Sequence, residues 1–312
     1  MASGEDLRTT AAALDGSVVV CGVGRYAETL ASARFPGAQP VTIEAALADT
    51  ADEPSRSNTP NGGSPAAALV AIDPNELSTT RASLRALAET DAFTIAVVPG
   101  SDTDRDGVAA LVRDADGVLL VGGDGAGQRV DGCDTDEAPR PLGVVDAIRT
   151  VLVTVREPGF INVDLTDART VFSAGVAAVG VASAASDAPD AAVGAAFDRL
   201  PTAVDAATAS AVLTDVVVDP ATSITAATDV VGRVRDRVGA DANVIWGGAV
   251  DESASAELLV RVVVANVEYN PPLVAGDPCP RCGSSLSSYT FGASETLSCD
   301  ACGYAGIGMR RR

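Results

Sequence analysis

The sequence contains neither histidine nor lysine, since all 22 basic residues are arginine. Without histidine there is no imidazole acid–base catalysis, and without lysine there is no phosphate-binding lysine. Aromatic residues make up only 4% of the chain, so the core must be built from alanine, valine and leucine. No apolar run approaches the roughly 18 residues that a membrane helix requires, and no signal segment is evident. These absences predict a soluble, cytoplasmic protein.

The 42 acidic residues outnumber the 22 arginines and are spread along the whole chain, and the net charge is −20. Such a charge is self-repelling at low salt, whereas molar salt shortens the screening length to about 3 Å and removes most of the repulsion. A halophilic cytoplasm is therefore the expected environment. Nucleic acid is not an expected partner, because its phosphates would meet a negative surface.

Apolar runs alternate with helical segments in the first half of the chain. Runs typical of buried parallel strands occupy residues 17–22, 66–72, 93–98 and 117–121. Helices are predicted over residues 78–89 and 104–114. This alternation predicts an α/β fold with a parallel, helix-covered sheet.

A long apolar helix opens the second half. Residues 142–155 carry apolar side chains with a 3.6-residue period, which predicts a core helix. Further strands are predicted over residues 176–182, 212–218, 244–250 and 258–267. With 312 residues and 47% hydrophobic content, the chain suits two domains with ample core.

Residues 158–171 begin with a Pro-Gly turn, which ends the long helix because proline lacks the N–H. Asn162, Asp164 and Asp167 then crowd a short loop before a new helix. Acids at such a position often only cap the helix by accepting its free N–H groups. Their order, followed by Arg-Thr-Val, also resembles the acidic loop that FtsZ-type tubulins offer to the nucleotide of the next subunit.

A second stretch carries the same resemblance. Residues 241–253 read DANVIWGGAVDES, and residues 258–264 read LLVRVVV. Both are similar to the strand pair that closes the second domain of FtsZ. Two ordered matches are hard to obtain by chance, so the chain is identified as resembling the FtsZ/tubulin superfamily, in a divergent, haloarchaeal-type form.

The resemblance implies a domain organisation. It comprises a degenerate GTPase-like Rossmann-type domain over residues 1–141, a central helix over residues 142–157 and an FtsZ-like second α/β domain over residues 158–270. A small cysteine-containing module follows over residues 275–308.

The phosphate loops of the superfamily are largely missing. Gly22 and Gly24 resemble part of the first loop and are the candidate cofactor-binding residues, although Arg25 follows them in place of a small residue. Where the resemblance implies a glycine box for the β and γ phosphates, residues 73–76 read DPNE. Carboxylates repel polyphosphate, and proline removes a backbone donor. We therefore expect neither GTP binding nor GTP hydrolysis by the protein alone.

Another glycine-rich segment, residues 122–127, directly follows a predicted strand. It comes too late in the chain to match the glycine box. The acidic, proline-containing residues 128–141 after it do not predict the helix that a phosphate loop enters. We do not assign nucleotide binding to this segment.

Four cysteines form two C-x-x-C pairs, Cys279 with Cys282 and Cys299 with Cys302, with residues 283–298 between them. This spacing, with glycine after each pair, predicts a four-thiolate zinc ribbon. Four thiolates leave no open coordination position, so the zinc would be structural. Disulfides are the alternative, and a reducing cytosol disfavours them.

In the superfamily one subunit binds GTP and the next supplies the acidic loop. The resemblance therefore implies that Asp164 and Asp167 position water and a cation, and that Asn162 contacts the phosphate region, only in trans. We expect a divergent FtsZ/tubulin-like cytoskeletal, cell-division-type protein without GTPase activity of its own. It would act as a filament partner or assembly regulator, with FtsZ-type subunits as candidate protein partners and the zinc ribbon as a second protein contact. Two alternatives stay open, namely a divergent active GTPase and a zinc-stabilised scaffold without a filament role.

Overall fold

The computed structural model describes residues 17–51, 65–122, 142–156, 159–173, 175–252, 257–271, 273–291 and 294–307. Most of the glycine-rich segment 122–127, the acidic stretch 128–141 and Pro158 lie outside these residues. None of the described helices has the length and apolar character needed to cross a membrane.

Strands and helices alternate along the described chain. The strands are β1 (Val18–Val23), β2 (Ala38–Val41), β3 (Ala67–Ile72), β4 (Phe93–Pro99), β5 (Gly117–Val121), β6 (Val176–Ala185), β7 (Val204–Asp205), β8 (Ala211–Val218), β9 (Asn243–Val250), β10 (Glu257–Ala265), β11 (Glu268–Tyr269), β12 (Ser287–Phe291), β13 (Ser294–Ser298) and β14 (Ala305–Ile307). The helices are α1 (Tyr26–Ser32), α2 (Ile43–Ala51), α3 (Leu77–Ala88), α4 (Arg105–Asp114), α5 (Val144–Arg156), α6 (Leu165–Phe172), α7 (Pro189–Asp198) and α8 (Ile224–Arg235). A short 3₁₀ turn, Pro74–Glu76, precedes α3.

One nine-stranded sheet runs through the described body in the order β2-β1-β3-β4-β5-β6-β10-β8-β9. The strands from β2 to β6 are parallel to one another. Strand β10 is antiparallel to both β6 and β8, and β9 is parallel to β8. The predicted α/β class with a largely parallel sheet is confirmed.

The central strands β3, β4 and β5 are buried along their whole length. Helix α5 contributes to the core on one face of these strands, and α3 and α4 contribute to the core on the other. A strand covered on both faces reads as a continuous apolar run, which is why its sequence signal was clear. Alanine, valine and leucine fill most of this core, as the shortage of aromatic residues predicts.

Strand β6 carries the sheet across from the first predicted half to the second, with Val118 opposite Val176 and Leu120 opposite Ala178. Helix α5 contacts β4 in the first half of the sheet, and it also contacts β6 and β10 in the second half. The body Met1–Tyr269 forms one compact unit. Its division at residues 142–157 stays a prediction.

The sequence patterns missed β2 and α2. Strand β2 has only four residues, and Gln39 and Pro40 interrupt its apolar character. Proline lacks the ladder donor and is tolerated on edge strands, and β2 is the first strand of the sheet order.

Residues Asn270–Arg312 form a second compact unit. Its described part contains the three-stranded antiparallel sheet β12-β13-β14. The small core joins Leu286 and Leu297 to Cys279 and Cys299. A core with so few buried side chains rarely stabilises a unit of this size. Additional cross-links, either a bound metal or disulfides, are therefore expected.

A buried ion pair joins two neighbouring strands of the body. Arg261 of β10 lies opposite Asp215 of β8, and its Nη1 contacts Asp215 Oδ2 at 2.5 Å. Burial raises the pKa of Asp215, while the charge and hydrogen bond of Arg261 act to lower it. The carboxylate therefore depends on the arginine to stay ionised inside the protein.

We predict that Arg261→Leu destabilises the body by about 3–5 kcal/mol at pH 8, because a buried carboxylate loses its partner. The folded-state pKa of Asp215 is already raised and will rise further in the variant. The folded protein then binds this proton more tightly than the unfolded chain, so the penalty shrinks as the pH falls towards 5. Denaturant unfolding at both pH values measures the effect. Arg235→Leu, at an exposed position of α8, is the control and should show no such pH dependence. Equal losses for Arg261→Leu at the two pH values would contradict this account.

Candidate functional site

The acidic loop is built around the start of α6. Asp164 is the N-cap, and its Oδ1 accepts the Asp167 N–H at 2.9 Å. In the reciprocal hydrogen bond, Asp167 Oδ2 accepts the Asp164 N–H at 3.1 Å. The two carboxylates form a capping box, in which each satisfies a free donor of the helix end.

Asn162 is exposed, and its side-chain oxygen accepts the Gly159 N–H at 2.7 Å. Asp164 is also exposed, and Asp167 is half-buried. The structure thus brings all three predicted residues together in one loop. Each of them stabilises the local backbone, and two of them still face solvent.

The loop is fastened to the edge strand β9. Ile161 and Gly248 form an antiparallel bridge, with Ile161 N–H donating to Gly248 O at 3.1 Å and Gly248 N–H donating to Ile161 O at 2.9 Å. The two stretches that carried the sequence resemblance are therefore in direct contact.

Two glycines of β9 make this contact sterically feasible. A β-carbon at position 247 would lie 2.9 Å from Val163 Cγ2, and one at position 248 would overlap the ring of Phe160. Successive residues of a strand face opposite sides of the sheet. Phe160 and Val163 therefore pack against opposite faces of β9.

The predicted cofactor-binding glycines lie where β1 ends and α1 follows. Gly24 has a positive φ of 63°, and a β-carbon there would lie 2.6 Å from Asp73 Cβ. A β-carbon at Gly22 would overlap the Tyr26 carbonyl. Atoms of the chain itself therefore occupy the space beside both glycines.

Asp73 bonds to the backbone and the arginine of this turn. Its carboxylate accepts the Asn75 N–H at 3.0 Å and the Arg25 N–H at 3.4 Å. The Arg25 side chain lies between Asp73 and Asp102, at 3.7 and 3.2 Å. In open α/β sheets, ligands bind at the carboxyl ends of the strands, and here the ion pairs of Arg25 with Asp73 and Asp102 lie at that edge.

The surroundings of Asp73 determine its charge state. Burial acts to raise the pKa of Asp73, but the amides of Asn75 and Arg25 and the Arg25 charge hold it below its usual range. Asp73 is therefore a carboxylate at neutral pH. Sequence reasoning found Asp73 but missed that Arg25 pairs with both Asp73 and Asp102, because these three residues belong to different strand–helix turns.

Tyr269, another residue that the sequence did not indicate, supports the same edge. Its hydroxyl lies 2.8 Å from the Gly100 carbonyl and 2.6 Å from the Thr103 carbonyl. It thereby holds the turn that carries Asp102. No short motif could reveal this contact, since it joins residues far apart in the chain.

The four paired cysteines converge in the second unit. All four Sγ atoms lie within 4.8 Å of one another, with Cys279 and Cys302 at 3.6 Å and Cys282 and Cys299 at 3.4 Å. A tetrahedral zinc with bonds of about 2.3 Å separates its sulfurs by about 3.8 Å. The donor set and its spacing therefore fit a four-thiolate metal site.

The two cysteine turns share one backbone geometry. Gly283 and Gly303 both have positive φ, at 76° and 71°, and each donates its N–H to the carbonyl of the first cysteine of its pair. The Arg281 N–H also points at Cys279 Sγ, at 3.4 Å. Hydrogen bonds from Ser284 lower the pKa of the exposed Cys282 to about 6, whereas burial raises the pKa of Cys302 to about 12.

Gly248→Ala should detach the acidic loop from β9, because its methyl group would overlap Phe160. We expect a stability loss of about 1–3 kcal/mol and faster hydrogen exchange across residues 159–163. Gly232→Ala in α8 is the matched control, since a β-carbon there meets nothing within 4 Å. That substitution should stabilise the protein by about 0.5–1 kcal/mol. Unchanged exchange at the Ile161 amide in Gly248→Ala would contradict the contact.

Part of the chain is similar in sequence to known proteins. Residues 175–268 match the family model described as "FtsZ family, C-terminal domain". The chain is 32% identical over 124 residues to Cell division protein FtsZ 1 of Halobacterium salinarum, a match covering 39% of this chain and 31% of that protein. It is 27% identical over 124 residues to Cell division protein FtsZ of Haloferax mediterranei, covering 39% and 33%. These matches span about a third of the length of either relative.

Solved structures extend the likeness to most of the chain. An empty FtsZ dimer of M. jannaschii has a TM-score of 0.62 and 16% identity, with 89% of this chain and 100% of that chain covered. A GTPγS-bound protofilament of CetZ2 from Haloferax volcanii has a TM-score of 0.56 and 18% identity, with 81% and 94% covered. The chain therefore has a tubulin/FtsZ-like α/β fold. The chain is thus similar to FtsZ in sequence over residues 175–268 and similar to FtsZ and CetZ2 in fold over most of its length.

Proposed function

We propose that this chain is an FtsZ-type cytoskeletal protein that does not use GTP itself but regulates the assembly of a GTP-binding partner. The observation that carries the proposal is a contrast between two sites. The acidic loop is partly exposed, whereas the turn after β1, where the resemblance implies a phosphate loop, carries an ion pair between Asp73 and Arg25.

Electrostatics argue against nucleotide at that edge. A phosphate about 4 Å from the Asp73 carboxylate would meet about 4 kcal/mol of repulsion per unit charge at an effective dielectric constant of 20. Arg25 cannot offset this freely, since it already lies between two carboxylates. The Arg25 N–H, which could otherwise bind an oxyanion, donates to Asp73.

The two sites are far apart in one molecule. Helix α5 follows Leu142, whose carbonyl accepts the Gly122 N–H at the end of β5, and it ends at Arg156, close before the loop. Its 13 residues span about 20 Å at 1.5 Å per residue. The loop of one chain can therefore act only on nucleotide held by another chain.

Such a protein would join a filament at one end. Its acidic loop can meet the nucleotide of a GTP-binding subunit, with Asp164 and Asp167 orienting water and a cation and Asn162 near the phosphates. Its own filled edge offers no nucleotide to a further subunit. A heterologous contact that cannot be repeated terminates the assembly.

We also propose that the C-terminal unit is a zinc ribbon with Cys279, Cys282, Cys299 and Cys302 as ligands. The convergent thiols and their matched turns support this. Zinc would supply structural cross-linking in place of a large core, and the ribbon would serve as a protein contact. The excess of acidic residues supports a cytoplasmic, high-salt setting and disfavours nucleic acid as a partner.

One observation favours a scaffold as the second candidate function. The side chains of Asn162, Asp164 and Asp167 all accept hydrogen bonds from the loop or helix backbone. Their chemistry is thus accounted for without any partner.

Amide substitutions separate the two candidates. Asparagine caps helices as well as aspartate does, so Asp164→Asn with Asp167→Asn should keep the stability within about 0.5 kcal/mol while removing the charge. The alanine pair should cost about 1–2 kcal/mol. We expect the wild-type chain alone to release no phosphate from GTP, to shorten filaments of a GTP-binding haloarchaeal FtsZ in molar KCl, and to stimulate that partner's GTPase. The amide pair should lose the stimulation.

Sedimentation, electron microscopy of filament length and phosphate release across a range of ratios provide the measurements. Unchanged filament length and unchanged hydrolysis at every ratio would reject the regulator and leave the scaffold. GTP retained or hydrolysed by the chain alone would reject the proposal in favour of a divergent GTPase.

The metal prediction concerns the second unit alone. Elemental analysis of freshly reduced protein should find about one zinc per chain, and Cys299→Ser should lose it. The ribbon should then unfold while the main melting transition of the body stays in place, because the body has its own core. Cys133 lies outside the two C-x-x-C pairs in the sequence, so Cys133→Ser is the control and should retain the metal. Zinc-free wild-type protein, or loss of metal from the control, would contradict the assignment.

A further inference from the structure

The paired cysteines of the second unit differ in their exposure to solvent. Cys279 and Cys299 are buried, with 3% and 2% of their surface exposed, whereas Cys302 is half-buried and Cys282 is exposed. Each C-x-x-C pair therefore has a buried first cysteine and a more accessible second cysteine. An oxidant dissolved in water reaches the second cysteine of each pair first.

The close sulfur–sulfur contacts run between the two pairs. Cys279 Sγ lies 3.6 Å from Cys302 Sγ, and Cys282 Sγ lies 3.4 Å from Cys299 Sγ. Each contact joins the buried cysteine of one pair to the more accessible cysteine of the other. A disulfide bond is about 2.05 Å long, so either contact needs a movement of only about 1.5 Å to become a bond.

A link between the two pairs is important because the core around them is small. Leu286 and Leu297 pack with the buried cysteine of each pair, and the Leu286 N–H donates to Asp277 O at 2.9 Å. A four-thiolate metal site connects the two C-x-x-C turns through one ion. Two disulfides between the pairs would connect the same turns, whereas a disulfide within each pair would leave the turns unconnected.

We propose that the C-terminal unit has two interchangeable kinds of cross-link. In the reduced protein the four thiolates bind zinc. After oxidation by a hydroperoxide, disulfides between Cys279 and Cys302 and between Cys282 and Cys299 replace the metal. The inference rests on the proposed zinc ribbon and adds a redox response to it, in which the zinc leaves and the fold of the unit stays.

The oxidation balances with hydrogen peroxide as the oxidant. The Cys282 sulfur attacks one peroxide oxygen, which gives a sulfenic acid and releases the other oxygen as water. The Cys299 sulfur then attacks the Cys282 sulfur, so the disulfide forms and the hydroxyl leaves as water. The same two steps join Cys302 to Cys279. In sum, four thiolates, two peroxide molecules and four protons give two disulfides and four waters, four electrons pass from sulfur to peroxide, and the zinc ion is released.

The first experiment maps the disulfides in the full chain. Cys21→Ala with Cys133→Ser removes the two cysteines outside the C-x-x-C pairs. A small excess of hydrogen peroxide should release about one zinc per chain to a metal-binding dye and leave no free thiol, whereas an untreated sample should keep its zinc. Cleavage after Arg281, after Glu295 and before Asp300 then places the four remaining cysteines on separate peptides. Mass spectrometry should find the first cysteine linked to the last and the second linked to the third.

The second experiment compares two double variants that each replace one buried and one exposed cysteine. Cys282→Ser with Cys299→Ser leaves Cys279 and Cys302, which belong to different pairs, whereas Cys279→Ser with Cys282→Ser leaves Cys299 and Cys302, which belong to one pair. Neither variant should hold zinc, since two of the four ligands are lost. On oxidation, hydrogen exchange at the Leu286 amide should slow by about a hundredfold in the first variant, as a loop-closing disulfide predicts, and by less than about twofold in the second.

The outcomes separate this inference from the proposed zinc ribbon. If the reduced protein contains zinc but peroxide forms disulfides within each C-x-x-C pair, or leaves the thiols and the zinc in place, the inference is overturned and the zinc ribbon stands. Equal exchange at the Leu286 amide in the two oxidised variants would overturn it as well. If freshly reduced protein contains no zinc, the zinc ribbon fails and the interchange fails with it.

Discussion

The pair of backbone hydrogen bonds between Ile161 and Gly248 is the contact on which the candidate site depends. It ties a loop to the edge of a nine-stranded sheet, and it does so where two consecutive glycines leave room for Phe160 and Val163. Because the loop is held there, α6 starts at a defined residue, Asp164 becomes its cap, and the phenyl ring stays at the surface. The buried Asp215–Arg261 pair lies in the adjoining strands, and a β-carbon at Gly247 would lie 3.6 Å from Asp215 Oδ1.

Carboxylates act in opposite ways at the two ends of α5. At the loop, Asp164 and Asp167 bond to backbone amides and yet remain accessible in part. At the carboxyl edge, Asp73 turns inward and satisfies the amides that an oxyanion ligand would need. A chain without lysine has only arginine to balance such an edge, and Arg25 is engaged between two acids. The same chemical group thus caps a helix at a partly exposed loop and forms ion pairs with arginine at the carboxyl edge.

The second unit relies on a different kind of stabilisation. Its core joins a few leucines to the cysteines themselves, so the thiols are part of the packing as well as candidate ligands. The body has no comparable need, because its strands are buried between helices on both faces. The two units therefore differ in what stabilises them.

The sequence by itself determined the elements whose signals are local. Buried parallel strands appear as uninterrupted apolar runs, α5 as a 3.6-residue period, and the cysteine turns as C-x-x-C followed by glycine; the described structure has these elements within a few residues of the predicted bounds. The fold resemblance could also be read from residues 158–171 and 241–264. Only the tertiary structure decided which distant groups meet: Arg25 with Asp73 and Asp102, Tyr269 with the turn after β4, and Phe160 with Gly248. The short strand β2 was also missed, because four residues containing a proline carry too little periodicity to indicate a strand. Local patterns record the burial and backbone geometry of one element, whereas contacts between elements depend on strand order and register, which no single segment encodes.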